Sequence, residues 1–175
     1  MPLLPDEPLP EIALEESTEG ALLRLTWDVV RELDLPGIAV ANRVIRRVGR
    51  FDNLDFPAVV VRFFDESINP REGTNESDDL HFAYMVSIVA ANAEQAVGES
   101  KLGTLLAWRQ TVRRAFLNHV SFTGIASPTL PGHVRTVVAT VRPGQAYVDE
   151  ALRASYDAQY LLIDYFVREA RQSGA

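Results

Sequence analysis

The residues whose types and spacing come nearest to chemistry are Asp78, Asp79 and His81, a carboxylate pair beside an imidazole. Such a set can bind a divalent cation or act as a general base. The three sit where a long acidic loop is expected to meet a strand, a setting in which solvated charge is the simpler reading. The other histidines, His119 and His133, fall at the end of a helical pattern and just before a strand pattern, and none of the three lies at a metal-ligand spacing. Ser100, Ser121 and Ser127 lack the glycine-flanked context of a nucleophile elbow. Gly124, Gly132 and Gly144 read as turn glycines, outside any phosphate-cradling or dinucleotide-binding spacing. The chain has no cysteine, which excludes thiol catalysis, Cys-ligated zinc, iron–sulfur clusters and a disulfide framework. No catalytic residue, cofactor or metal is assigned on these grounds.

Charge is more informative. Arg43, Arg46, Arg47 and Arg50 cluster in one segment, and Arg109, Arg113 and Arg114 in another, so a phosphate-binding surface comes to mind. Against it stand a pI of about 5.0, the absence of a recognition motif, and the common use of strand arginines as edge-protecting charge. Arg43, Arg46, Arg47, Arg109, Arg113 and Arg114 are instead candidates for a basic interface. Their counterpart is an acidic segment, Asp65, Glu66, Glu72, Glu76, Asp78 and Asp79, opposed locally only by Arg71. Residues 1–20 hold six acids and no base, while Lys101 to Arg142 holds six bases and no acid. The net charge of −7 therefore belongs to the N-terminal stretch, and the body is nearly neutral but segregated by sign. One reading is solvated faces that alternate in sign. The other is self-complementarity, in which the acidic loop of one copy meets the basic face of the next, a head-to-tail contact that closes into a ring when the rotation permits. Sixteen of the 17 bases are arginine, which suits bidentate pairing and is equally explained by genomic base composition.

The elements that must position these residues follow from periodicity. At 175 residues and 47% hydrophobic, the chain has the size and composition of one globular domain. No apolar run approaches a membrane span, and the N-terminus carries acids and prolines where a signal peptide would be basic and apolar, so a soluble, intracellular product is expected. Pro2, Pro5, Pro8 and Pro10 forbid a helix, and residues 1–16 are expected to form an extended acidic arm able to clasp a neighbour. Residues 17–175 are expected to form the domain. Leu22, Leu25, Val29 and Leu33 predict an amphipathic helix, capped by Ser17 or Thr18 and stopped at Leu35-Pro36-Gly37. Strands are expected over Ile38–Val48 and Phe56–Phe64, the second of them central. A loop is expected over residues 65–79, followed by the firmest strand, Leu80 to Ala90, with every second residue apolar. A second helix is expected from Glu99 to Asn118 with Leu105, Trp108, Val112 and Phe116 inward, then strands at Val134–Arg142 and Ala158–Arg168. The last is apolar on both faces, which makes it central in its sheet or half of an interface. The order α, β, β, β, α, β, β implies an α+β domain with a mostly antiparallel sheet of about five strands and two main helices packed on it.

Several features carry a family resemblance: Trp108-Arg109 in a helix, a strand closing in Val-Arg-Pro-Gly over residues 141–144, Val148-Asp149, Tyr156-Asp157, the ending Arg168-Glu169-Ala170-Arg171, and the Phe-Pro-Ala-Val-Val-Val strand. Over roughly residues 18–171 this layout resembles the tail terminator and neck, or head-to-tail joining, proteins of tailed bacteriophages. The resemblance implies an α+β subunit of a ring, typically a hexamer, without catalytic residues or cofactor. Its implied partners are other copies of itself, the tail tube protein and head-connector proteins, with DNA passing through the lumen without specific contacts and no membrane; in such a ring the acidic loop Asp65 to Asp79 is a candidate lining of the lumen, where it would repel the phosphates and let DNA slide, as well as a candidate interface. Its implied place is the virion neck or tail, assembled in the host cytoplasm. The proline-rich arm has no counterpart in that pattern. Another virion component (an adaptor, stopper or tail-tube-associated protein) and a small α+β enzyme or ligand-binding domain without a local motif are the alternatives.

Overall fold

The computed structural model describes residues 17–46, 54–68, 77–91, 98–118, 134–143 and 156–170, with residue 13. The expected N-terminal arm lies almost wholly outside the described residues, as do His119, His133 and the segment before the last strand.

Helix α1 (Thr18–Glu32) opens as the sequence predicts: Ser17 is the N-cap, its Oγ accepting a hydrogen bond from the Gly20 amide at 3.0 Å. Its buried stripe is shifted from the leucine pattern. Thr18, Leu22, Thr26 and Val30, with Ala21, are buried, while Leu25 and Val29 only flank the core. Threonines tolerate this position because their hydroxyls are satisfied: Thr26 Oγ1 donates to the Leu22 carbonyl and pairs with the Tyr165 hydroxyl at 2.9 Å.

After α1, Gly37 takes a left-handed φ of 86°, and a Cβ there would stand 3.6 Å from Trp108. The strand expected over Ile38–Val48 is mostly not one. A 3₁₀ turn occupies Val40–Asn42, and only Arg43–Ile45 forms β1. This short strand runs parallel to β2 (Ala58–Ile68), pairing with Val59–Val61. β3 (Ser77–Ala91) and β5 (Tyr156–Ala170) are long antiparallel partners, and β4 (Val134–Pro143) lies outside β5, giving the order β1-β2-β3-β5-β4. The fold is α+β with a five-stranded, mostly antiparallel sheet and two helices. β2 extends beyond its predicted end to Ile68 and β3 begins at Ser77, so both ends of the segment expected as a loop are strand. β5 is central, and Leu161 through Tyr165 are buried on both faces.

Both helices cover one face. Phe82, Tyr84, Val86 and Ile88 of β3 point at α1 and at α2 (Gly98–Asn118), whose Leu105, Val112 and Phe116 are buried as the helical stripe predicts. α1 packs over β1 and β2, and α2 over β4 and β5. Among the described residues no helix is long and apolar enough to cross a membrane.

Candidate functional site

The polar side chains that converge most tightly lie on the sheet face away from the helices. Directly paired residues share a face, so the registers Ser67↔His81, Ala83↔Asp164 and Thr140↔Asp164 place Ser67, His81, Asp164 and Arg142 together across four strands. Asp164 is the hub. Its carboxylate is nearly inaccessible, at 4% side-chain exposure. It accepts from Arg142 Nε at 2.6 Å and Nη2 at 3.1 Å, a two-pronged guanidinium fork, and lies 2.8 Å from His81 Nε2. The Asp164 carboxylate raises Arg142 further above its ordinary value, chiefly through that hydrogen bond. Ser67 Oγ lies 3.2 Å from His81 Nδ1, and Phe166 stacks on the imidazole with centroids 4.9 Å apart.

Ser67, His81 and Asp164 thus share the connectivity of a hydrolytic triad. Both oxygens of Asp164 are engaged by Arg142, however, and a carboxylate neutralised by a guanidinium has little charge left to stabilise an imidazolium. Ser67 is exposed on its strand. The group is a cross-strand brace. One row further along, Arg168 grips Asp79 through Nε at 2.6 Å and Nη2 at 2.8 Å, which holds the Asp79 carboxyl below the usual range.

The predicted acidic loop therefore needs correction. Asp65 and Glu66 stand on β2, Asp78 and Asp79 on β3, and the alternation of the strands divides them. Asp65 and Asp79 share the brace face; Glu66, paired with Phe82, and Asp78, paired with Glu169, share the helix face. The Asp78-Asp79-His81 cluster is split in the same way, and His81 turns to Asp164. Glu72 and Glu76 lie outside the described residues. Glu66 is exposed, and its carboxyl is pushed above the usual range by desolvation and then by Glu19, Glu169 and Asp65. Among the described residues no group of three or more His, Asp or Glu is arranged to hold a metal ion.

The predicted basic face also divides. Arg43 is not at a surface: it is 5% exposed, and its guanidinium caps the C-terminal end of α1. Nη1 donates to the carbonyls of Val30, Arg31 and Leu33, and Nη2 to that of Ile38 at 3.0 Å. A cation suits these orphan carbonyls and the negative end of the helix dipole. Arg46 is exposed, whereas Arg47 lies outside the described residues. Arg109, Arg113 and Arg114 stand on α2, the last two exposed.

Asp164 and Arg142 did not emerge from motif reading because their partners come from strands far apart in sequence. The available signal was a single aspartate inside the apolar run Tyr160 to Val167, since a charge in a central strand needs a partner. A second feature escaped the same reading: an apolar cavity of about 300 Å³ lined by Phe56, Pro57, Ala90, Ala91, Thr104, Leu105 and Trp108. Trp108, one of the lining residues, is fixed by its indole N–H, which donates to the Pro36 carbonyl at 3.0 Å. The sequence matches no known family model and no curated protein.

Proposed function

We propose that the chain is a non-enzymatic structural subunit of a tailed-phage virion, a tail terminator or neck ring protein that joins the tail tube to the head connector. The observation that carries the proposal is the Asp164 brace. The most concentrated polar chemistry on the described surface is spent tying β2, β3, β5 and β4 into one sheet, which suits a part that holds shape. The α+β architecture agrees with what the resemblance implies, and the segregated charge supplies a basis for contacts between copies. In this reading the neighbours are further copies of the chain, typically six in a ring, with tail tube and connector proteins on either side and DNA crossing the lumen unread.

Quantitative mass spectrometry of purified particles tests the assignment. A small fixed copy number that co-purifies with the neck or tail supports it; absence from particles overturns it. The cavity at Trp108 favours one second reading, a small-ligand-binding domain, because its size and apolar lining match the low end of ligand pockets. That reading predicts a Trp108 fluorescence change and a raised melting temperature on titration with small apolar ligands.

A further inference from the structure

Two surface patches on different parts of the molecule are each incomplete, and each offers what the other lacks. The first is on β2. β1 pairs only with Val59–Val61, and Arg46 N–H adds a last bond to the Val61 carbonyl, so among the described residues nothing pairs with the outer edge of β2 from Arg62 onward. The register slips between Phe63 and Asp65, and this bulge leaves Phe63 and Phe64 38% and 39% exposed. Asp65 and Glu66 follow at once, one on each face of the sheet along that edge, and among the described residues neither makes an ion-pair contact; Asp65 is near enough to attract Arg142, while Glu19, at the start of α1, contributes repulsion to Glu66 rather than relief. A bulge and charges are ordinary protection for a sheet edge. Two exposed phenylalanines are not, since they add the apolar surface that protection is meant to remove.

The second patch is on α2, which packs over the other half of the sheet. Leu102, Leu106 and Leu117 are 49%, 45% and 46% exposed and fall at i, i+4 and i+15, one stripe on the helix. Arg113 lies in that stripe, with Arg109 and Arg114 beside it. Among the described residues none of the three arginines has a hydrogen-bond or ion-pair partner, and Arg109 Nε is buried without an acceptor.

We infer that the β2 patch of one copy docks against the α2 stripe of the next, with Phe63 and Phe64 on Leu102, Leu106 and Leu117 and with Asp65 and Glu66 facing Arg109, Arg113 and Arg114. A second copy is the occupant because each patch is apolar at its centre and carries exposed charge at its rim, acidic at Asp65 and Glu66 and basic at Arg113 and Arg114, so the signs are opposite. A two-fold axis through either patch alone would set like charge on like charge, and with the two patches on different parts of the molecule the contact is head-to-tail. Guanidinium groups at Glu66 would also offset its repulsion from Glu19 and Glu169. The contact supplies an interface for the ring proposed above and rests on that reading only for closure.

The test uses the full chain in three forms: wild type, D65R/E66R, and R113E/R114E. All four positions are exposed, and far-UV circular dichroism with a thermal melt establishes that each variant is folded. Sedimentation velocity at low ionic strength is expected to show concentration-dependent assembly of the wild type. Each variant alone should associate at least tenfold more weakly, since its two patches then carry the same sign. An equimolar mixture should recover assembly, because every contact in an alternating oligomer is again opposite in sign. A wild type that remains monomeric at all concentrations overturns the contact, as do folded variants that assemble like wild type or a mixture that fails to recover. If the chain is present in particles but indifferent to these swaps, the contact falls and the virion reading stands. If it is absent from particles but obeys them, the reverse holds.

Discussion

Arginine 43 illustrates how little a residue's charge says about its task until the backbone around it is known. Four carbonyls converge on its guanidinium, and burial lowers its affinity for the proton while those acceptors keep it useful. Removing it takes the side-chain donor from the Arg31, Leu33 and Ile38 carbonyls and leaves Val30 with the Leu33 amide alone. Arg43→Ala should cost about 2–3 kcal/mol in thermal or urea denaturation, the range for lost hydrogen bonds to a charged group. Arg113→Ala, at an exposed site with no partner among the described residues, should stay within about 0.5 kcal/mol in dilute protein. Glu66 gives a pH prediction. Its folded-state pKa lies above the ordinary value of 4.5, so the folded chain holds that proton more tightly than the unfolded chain does. The ionised carboxylate therefore penalises the fold at neutral pH, and the penalty disappears as pH falls through the raised value. Glu66→Gln should raise the melting temperature of dilute protein at pH 7, and the advantage over wild type should shrink to nothing below the carboxylate range. An advantage constant from pH 7 to pH 3 would contradict the electrostatic cause.

At the scale of elements, the long antiparallel pair β3 and β5 is the frame, and the Asp164 brace stitches β2 and β4 to it. Breaking a buried ion pair from one side leaves the other group desolvated and unpaired. Arg142→Ala leaves Asp164 buried with only the imidazole, and should cost about 1–3 kcal/mol. Hydrogen exchange should quicken along β4 and β5 more than along α1; a uniform change across the fold would argue against a local brace. The sequence was most readable where one period persisted. Alternation from Leu80 to Ala90 and the stripe Leu105, Trp108, Val112, Phe116 specified β3 and α2 almost to their ends. It was least readable where a tertiary contact overrode local preference. β-branched residues at Ile38, Val40 and Val44 suggested a strand, but the Arg43 side chain folds back to α1 and Ile38 turns onto the Leu35 carbonyl, leaving three residues for β1. Acids after Phe64 suggested a loop, whereas pairing with β3 carries β2 on to Ile68. The brace was hidden for a related reason, because its members meet only through sheet register.

At the scale of the whole molecule, the signs of the charges, read along the chain as segregated, become patches only after folding sorts them by face. Asp79 and Arg43 drop out, each satisfied within the chain, while Asp65 and Glu66 remain on the edge of β2 that no described residue pairs with, and Arg109, Arg113 and Arg114 on α2. Association through such patches should weaken with salt. Raising ionic strength from about 0.1 to about 1 M shortens the screening length from about 10 to about 3 Å, and the apparent association constant should fall by at least tenfold. Assembly indifferent to molar salt would leave only the apolar part of the contact. The most direct test of the account is electron microscopy of the expressed chain, alone and mixed with tail tubes, sorted into class averages. The expected result is closed rings of about six subunits that cap tube ends, in keeping with head-to-tail contacts that close. Single subunits or two-fold pairs, unchanged by the presence of tubes, would contradict it.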